Sequence, residues 1–277
     1  MSTLLATRIV AVFYVLVSVL GLIQLFRPRR MPFPVVAAAM GGVAVLHLAV
    51  LVARGMAAGG LPLTNVADDL SLFAFVAASV SAAVSCRGQV PQLAALSSFI
   101  VAGLMTVSFV GGHEVHLPPG QRSGWLPVHI ATAFLGNALF MMAGLTALVY
   151  LVQERRLKAR GTRFRPRGSD RLPPLETLDH LTVRFIQFGF PMLTLGLLTG
   201  VIYAKQVLGT FWVWDPRNTL SLLIWLLYAL LLHFRLTIGW RGRKLALLTV
   251  VGVVASLISM VGMNLAAVGV HGKDFLL

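Results

Sequence analysis

The densest group of chemically capable residues in this 277-residue chain is "GTFWVWDPRNT", Gly209–Thr219, which sets Phe211, Trp212 and Trp214 directly before Asp215 and Arg217. Asp-Pro reads as a helix start: Asp215 caps free amides and Pro216 tolerates the first turn. Three aromatic rings would then stand just ahead of a helix N-terminus. Such a platform can stack a flat apolar ligand, while the helix amides, Arg217 and Lys205 hold its anionic groups. The competing reading is an aromatic belt, since Trp favours the membrane–water interface.

Two histidines bracket this stretch in the sequence. His129 follows "RSGWLPV" and His271 stands in the closing "VHGKDFLL". Whether they could work with the aromatic stretch depends on the elements that carry them.

Those elements are hydrophobic helices. The chain is 57% hydrophobic and 12% charged, about half the charged fraction of a soluble domain, with a mean hydropathy of +0.85. Apolar runs recur near the 20 or so residues needed to cross a bilayer core: 8–26, 34–53, 70–86, 92–110, 128–152, 185–204, 216–238 and 245–268. Backbone polar groups must be satisfied inside lipid, so these runs predict helices. The expected fold is an all-α, polytopic transmembrane bundle of about eight helices, one integral membrane domain over 1–277. The first run is too long for a signal-peptide core and lacks a small-x-small cleavage site, so it reads as a retained helix. Cys86 is the sole cysteine, which excludes an internal disulfide, a CxxC redox pair and a thiolate metal cluster.

The formal charge of +14 is distributed by loop. One set of loops carries Arg27, Arg29, Arg30, Arg87, a cluster from Arg155 to Arg184, then Arg235, Arg241, Arg243 and Lys244. The opposite set carries only Arg54, Arg122, Lys205, Arg217 and Lys273, with Arg8 at the start of the first helix. The positive-inside rule then places both termini outside and the basic loops in the cytoplasm. The charge reads as topology plus attraction to anionic lipid, not as nucleic-acid binding. The segment 154–183, rich in Arg, Pro and Gly, is expected to be a basic cytoplasmic loop, and 205–219 an external one. The active face is expected to be extracytoplasmic, in the cell's inner (cytoplasmic) membrane.

On this map His129, His271 and the Trp stretch share the outer side. Two imidazoles beside an aromatic shelf could hold a haem iron between axial ligands, and a porphyrin with two propionates matches the mixture of rings and charges. The plainer alternative leaves each as an interfacial histidine. His233 lies about 25 Å along helix seven, toward the cytoplasm, and His47 within helix two. Ionisable groups at such depths are candidates for function, against the alternative of a neutral histidine bonded to a nearby carbonyl. His180 falls in the basic loop, and His113-Glu114-Val115-His116 is too short a pattern to read as a metal site.

The stretch "GTFWVWDPRNTLSLLIWLLYALLLHFR" resembles the tryptophan-rich WWD segment of the cytochrome c assembly family, the haem-handling membrane proteins of the CcsA/ResC and CcmC type. "WLPVHIATAFLGNALFMMAGLTALVYLVQE" looks like the helix after that family's first external His. "LDHLTVRFIQFGFPMLTLGLLTG" looks like the helix before the WWD segment, "MNLAAVGVHG" like the closing helix and second external His, and "LPLTN" like a short motif near the front. The resemblance implies haem b as cofactor. It makes His129 and His271 external axial ligands, His233 a transient intramembrane ligand completed by a partner chain or by His47, and Trp212, Trp214 and Asp215 the platform, with Arg217 nearby. It implies a CcsB/ResB-like membrane partner and apocytochrome c, in the lipid bilayer. The family usually follows Asp-Pro with Lys-Glu-Thr-Trp, where this chain has Arg217-Asn218-Thr219-Leu220, which removes the acid of a capping box and one ring. Other features, including a His in helix two, look like the HemX/YpjD-like relatives linked to haem metabolism.

The expected function is therefore haem handling in cytochrome c maturation: moving haem to the outer face and presenting it between two histidines for attachment to apocytochrome c. No general base or nucleophile stands out, so the expected contribution is positioning and ligation, as a subunit of a haem lyase if the system is enzymatic. A HemX-like influence on haem biosynthesis without attachment is the alternative, and a transporter unrelated to haem is a third reading.

Overall fold

The computed structural model describes residues 2–27, 32, 34–58, 66–86, 90, 92–110, 123–160 and 173–269, of which 2–4, 58, 66, 109–110, 160, 208, 217 and 261–269 are described by their backbone alone. Within these residues the chain forms eight helices: α1 Ser2–Phe26, α2 Pro34–Ala58, α3 Val66–Ser85, α4 Gln92–Val110, α5 Trp125–Arg160, α6 Leu175–Leu208, α7 Pro216–His233 and α8 Arg243–Gly269. Seven of them are long and apolar enough to cross a membrane. The other, α4, is apolar too, and its 19 residues rise about 28 Å. The chain is a multi-pass membrane protein built as an all-helical bundle.

Successive helices run antiparallel, as their cross-helix contacts show. His47 meets Ser71 while Arg54 meets Asp68. Ser81 meets Ser97 between α3 and α4. His129 meets Gly196 while Ser123 meets Gln206. The odd-to-even turns thus gather at one end of the bundle and the even-to-odd turns at the other.

The most extensive pairing is between α5 and α6, and it is made by small residues. A Cβ at Gly136 would fall 2.8 Å from the Leu193 nitrogen, one at Gly189 2.8 Å from the Phe140 ring, and one at Gly196 3.1 Å from Ala133. Between lipid-soluble helices, packing and hydrogen bonding drive association, and small residues let backbones approach. Phe140, seated on Gly189, stacks on Tyr228 of α7 with centroids 3.6 Å apart and planes 7° apart. Tyr228 abuts Gly252 of α8, so one line of contacts pins four helices together.

Three boundaries differ from the sequence expectation, the simplest being that of the segment 205–219, which is loop only over 209–215 because α6 runs to Leu208 and α7 starts at Pro216. The basic segment 154–183 is helical at both ends: α5 continues to Arg160 and α6 begins at Leu175. An i,i+4 pair between Lys158 and Glu154 at 2.7 Å supports the extension of α5. Leu178 and Thr182, both buried, dock the first turns of α6. The seventh helix stops being α-helical at His233 and passes into a π turn, Phe234–Ile238. There Arg235 leaves the helix register to pair with Asp179 of α6 at 2.9 Å and to donate to the Trp240 carbonyl at 2.9 Å. Asp179 also accepts from the Gly242 amide at 2.8 Å, ahead of α8.

Candidate functional site

The loop between α6 and α7 is built as the Asp-Pro signal predicts. Asp215, extended, caps α7, and its Oδ1 accepts from the Asn218 amide at 2.6 Å. Asn218 occupies the position where an acid was missing, and it engages the cap as a donor, through its side-chain amide. Its Nδ2 donates to Asp215 Oδ2 at 3.2 Å and to the Val213 carbonyl at 3.0 Å. Thr219 Oγ1 donates to the Asp215 carbonyl at 2.8 Å. Asp215 is thereby committed to the cap.

Upstream, α6 closes on Gly209, whose φ of 72° is the left-handed conformation that favours glycine. Lys205 donates to the Gly209 carbonyl at 3.0 Å and its ammonium sits 4.6 Å from the centre of the Phe211 ring. Thr210 holds the next turn: its hydroxyl oxygen accepts from the Trp212 amide and its proton goes to the Trp212 carbonyl. The loop is short and tied at both ends.

Within it the two tryptophans differ. Their rings meet edge to face with centroids 5.9 Å apart and planes 68° apart. Trp214 is 77% exposed and Phe211 62%, whereas the Trp212 indole Nε1 is buried with no hydrogen-bond partner among the described residues. Buried donors are nearly always paired, so this one stands out.

His129 lies one turn into α5, which starts on a Ser123 cap: Ser123 Oγ accepts from the Trp125 amide at 3.3 Å and donates to Gln206 of α6 at 2.6 Å. The half-buried imidazole lies against α6 and its Nδ1 is 2.7 Å from the Gly196 carbonyl oxygen. A carbonyl only accepts, so Nδ1 carries the proton, and in the neutral ring Nε2 is the nitrogen that bears the lone pair. Metal-binding histidines commonly have this arrangement. The structure thus brings His129, Lys205 and the 209–215 loop to the same end of the bundle. Helix α8 runs toward that end too, since Asn137 meets Ser256 while Gly144 meets Val253. His271 lies outside the described residues, as do His113, His116, Leu61–Asn65 and the side chain of Arg217.

His233 ends α7, about 26 Å from Pro216, with its ring exposed and 5.9 Å from that of Phe234. Exposed Leu223, Leu226 and Leu230 precede it at helical spacing on the same face. His47 sits elsewhere. It is wholly buried between α1 and α3, with Nε2 2.9 Å from Ser71 Oγ and Nδ1 3.3 Å from the Tyr14 hydroxyl. With both ring nitrogens engaged there, it is not placed to complete a site with His233. Gly196, Gly200, Gln206 and Thr210 were not among the expected site residues. The Gly196-x-x-x-Gly200 spacing is the signal that marks two of them.

The model of the family described as cytochrome C assembly protein matches residues 63–271. The chain belongs to this family. It is 31% identical over 250 residues to "Cytochrome c biogenesis protein CcsA" of Synechococcus sp. (strain CC9605), covering 82% of each chain. The protein of that name from Parasynechococcus marenigrum (strain WH8102) is 32% identical, again over 82% of each. The one from Chlamydomonas reinhardtii is 30% identical over 85% of this chain and 67% of its own length. The matched region includes α3 to α8 and every residue of the loop described above.

Proposed function

We propose that this chain works in cytochrome c biogenesis by holding haem b at the bundle end that carries His129 and the tryptophan loop, on the extracytoplasmic side of the cell's inner membrane. The observation that carries the reading is the Nδ1–H of His129 donating to the Gly196 carbonyl at 2.7 Å, the tautomer in which Nε2 is the nitrogen able to ligate a metal. The residues fit the group in two further respects. The buried Trp212 Nε1–H, without a partner among the described residues, suits a carboxylate such as a propionate, and the exposed Trp214 ring suits a porphyrin face. In this reading His271 would be the second histidine to hold the iron, and Arg217 and the helix start would meet the anionic groups. Bound haem would supply the iron that the histidines ligate and the vinyl carbons to which cysteine thiols of apocytochrome c attach. The chain's own work is to orient the imidazole, stack the ring system and hold the shelf at a fixed angle through the Asp215 cap.

His233 has the second role. An ionisable side chain on an exposed apolar stripe is disfavoured in lipid, so the Leu223–His233 face of α7 is the place where a CcsB/ResB-like membrane partner would pack and where haem would dwell before reaching the outer shelf. The sidedness rests on the basic residues at the opposite end.

The test is purification of the full chain from haem-replete membranes, with absorption spectra of the wild type, His129→Ala, His271→Ala and the double variant. Loss of haem and an altered Soret band are expected for each single change. Unchanged haem content in the double variant, at normal protein level, would leave the family's biogenesis role and remove this site, favouring the HemX-like alternative.

A further inference from the structure

We propose that Gly196 and Gly200 of α6 are positioning residues that set the tautomer and angle of the His129 imidazole; the inference rests on the reading of His129 as a haem ligand. The two glycines are one helical turn apart. In a helix the Cα–Cβ bond tilts toward the N-terminus, so a side chain at 200 would overlie the carbonyl at 196. With glycine at 200 that carbonyl is open from the α5 side, and His129 Nδ1 reaches it at 2.7 Å. The nearby Thr199 hydroxyl donates at 2.7 Å to the Leu195 carbonyl and lies farther, 3.1 Å, from that of Gly196, so His129 is the closer side-chain donor to the Gly196 oxygen.

Gly200 differs from the other glycines of this helix pair. A Cβ at Gly136, Gly189 or Gly196 would strike α6 or α5 backbone, the Phe140 ring or Ala133, contacts that set how closely the helices approach. At Gly200 the three nearest atoms all belong to the His129 ring: Cε1 at 2.8 Å, Nδ1 at 2.9 Å and Nε2 at 3.7 Å. The first two are closer than real Cβ contacts allow. The ring could escape only by turning about its own side-chain bonds, which breaks the bond to Gly196 and frees Nδ1 to exchange its proton with Nε2. Position 200 is therefore glycine for the histidine, and position 196 for both the helix approach and the acceptor.

The experiment compares Gly200→Ala with Gly189→Ala in the full-length protein purified in detergent, with His129→Ala as reference. Haem per protein, the Soret band and the ¹⁵N shifts of the His129 ring (assigned by difference from His129→Ala) are measured together with thermal stability. Gly200→Ala is expected to weaken haem retention about 10–100-fold, the range for losing an outer-shell partner of a metal ligand, and to move the ¹⁵N pattern away from a fixed Nδ1–H. Gly189→Ala should lower stability and leave the ¹⁵N pattern unchanged. If His129→Ala loses haem and Gly200→Ala does not, the positioning role is overturned while the ligand assignment stands. If His129→Ala keeps its haem, the ligand assignment falls, and the ¹⁵N pattern alone decides the positioning: unchanged shifts in Gly200→Ala overturn it. Should Gly200→Ala fail to accumulate, the double variant Gly200→Ala/His129→Ala should recover, because the atoms struck by the new Cβ are gone. Failure to recover would show that the glycine serves the backbone instead.

Discussion

The buried network around His47 in α1–α3 and the tryptophan shelf with its neighbours in α5–α8 treat their polar groups differently. Around His47 the buried polar side chains answer one another: Tyr14, His47 and Ser71 form a chain, and the Arg54 guanidinium pairs with Asp68, whose side chain is 1% exposed, although at the far end of α3 the buried Ser85 hydroxyl has no partner among the described residues. In α5–α8 the polar groups include donors left over. Trp212 Nε1 and the Tyr228 hydroxyl are buried without partners among the described residues, and His233 ends an exposed apolar stripe. A completed network ties helices together and has nothing to offer a ligand. An unmatched buried donor is one that a ligand or a second chain could complete. On the proposed reading the His47 network serves stability and the shelf serves the ligand, and each side can be attacked separately.

The largest effect on stability is expected at Arg54. Arg54→Ala takes the guanidinium away from an almost wholly buried carboxylate, and breaking such a pair costs about 3–5 kcal/mol. Thermal unfolding of the detergent-solubilised protein should show it, with the Soret band of the surviving protein unaltered. Next comes His47→Leu, which strips the Tyr14 hydroxyl and Ser71 Oγ of their bond to the ring. The expected loss is about 1–3 kcal/mol for each polar group left unmatched, again with a normal haem spectrum. A His47 variant that folds normally but loses haem would break the comparison, because it would put the N-terminal network on the haem route.

The shelf gives the sharper test in the other half. Trp212→Ala with Trp214→Ala should weaken haem retention, each ring contributing about 0.5–1.5 kcal/mol beyond area burial, while the protein still inserts. Normal haem content in that double variant would make the tryptophans a membrane-interface belt. Trp212→Phe divides the contribution further, since it keeps a ring but removes the buried N–H. Weaker retention from this change alone would place a carboxylate on Nε1, and no effect would leave stacking as the whole of the Trp212 contribution.

Much of this was legible from residue types. Hydrophobic length marked all eight helices, and proline or its neighbour fixed the starts at Pro34, Gln92 and Pro216. Asp215 announced its cap because capping is local: the acceptor and the amide it serves lie three residues apart. What escaped was set by contacts distant in the chain. The π turn coincides with Arg235 pairing to Asp179, 56 positions earlier by subtraction of their numbers, and nothing near Phe234 announces it. The extension of α5 to Arg160 and the start of α6 at Leu175 were hidden because charge and glycine in the segment between suggested a loop, while for α6 the buried Leu178 and Thr182 decide the matter by packing. The role of Gly200 depends on a ring 71 positions away by the same subtraction. The sequence shows the Gly-x-x-x-Gly spacing, which signals a close helix approach but not which side chain fills it.

The smallest expected effect is also the one that tests the comparison at its weakest point. Tyr228 is wholly buried in the line of contacts from Gly189 through Phe140 to Gly252, and its ring packs fully while its hydroxyl has no partner among the described residues. If that hydroxyl is only tolerated, Tyr228→Phe keeps the stack, removes an unmatched polar atom and leaves stability equal or higher by up to about 1 kcal/mol. Gly252→Ala should do the reverse, since a Cβ there would meet the Tyr228 Cζ and hydroxyl at 3.1 Å. Tyr228→Phe should relieve part of that clash in the double variant, and the non-additivity measures the contact directly. Thermal midpoints of the four proteins check the cycle. A Tyr228→Phe protein of normal stability but reduced haem retention would mean that the hydroxyl finds its partner only when the ligand is present. Tyr228 would then join Trp212 as a donor held open for haem, and the functional region would extend from the shelf into the middle of the helices.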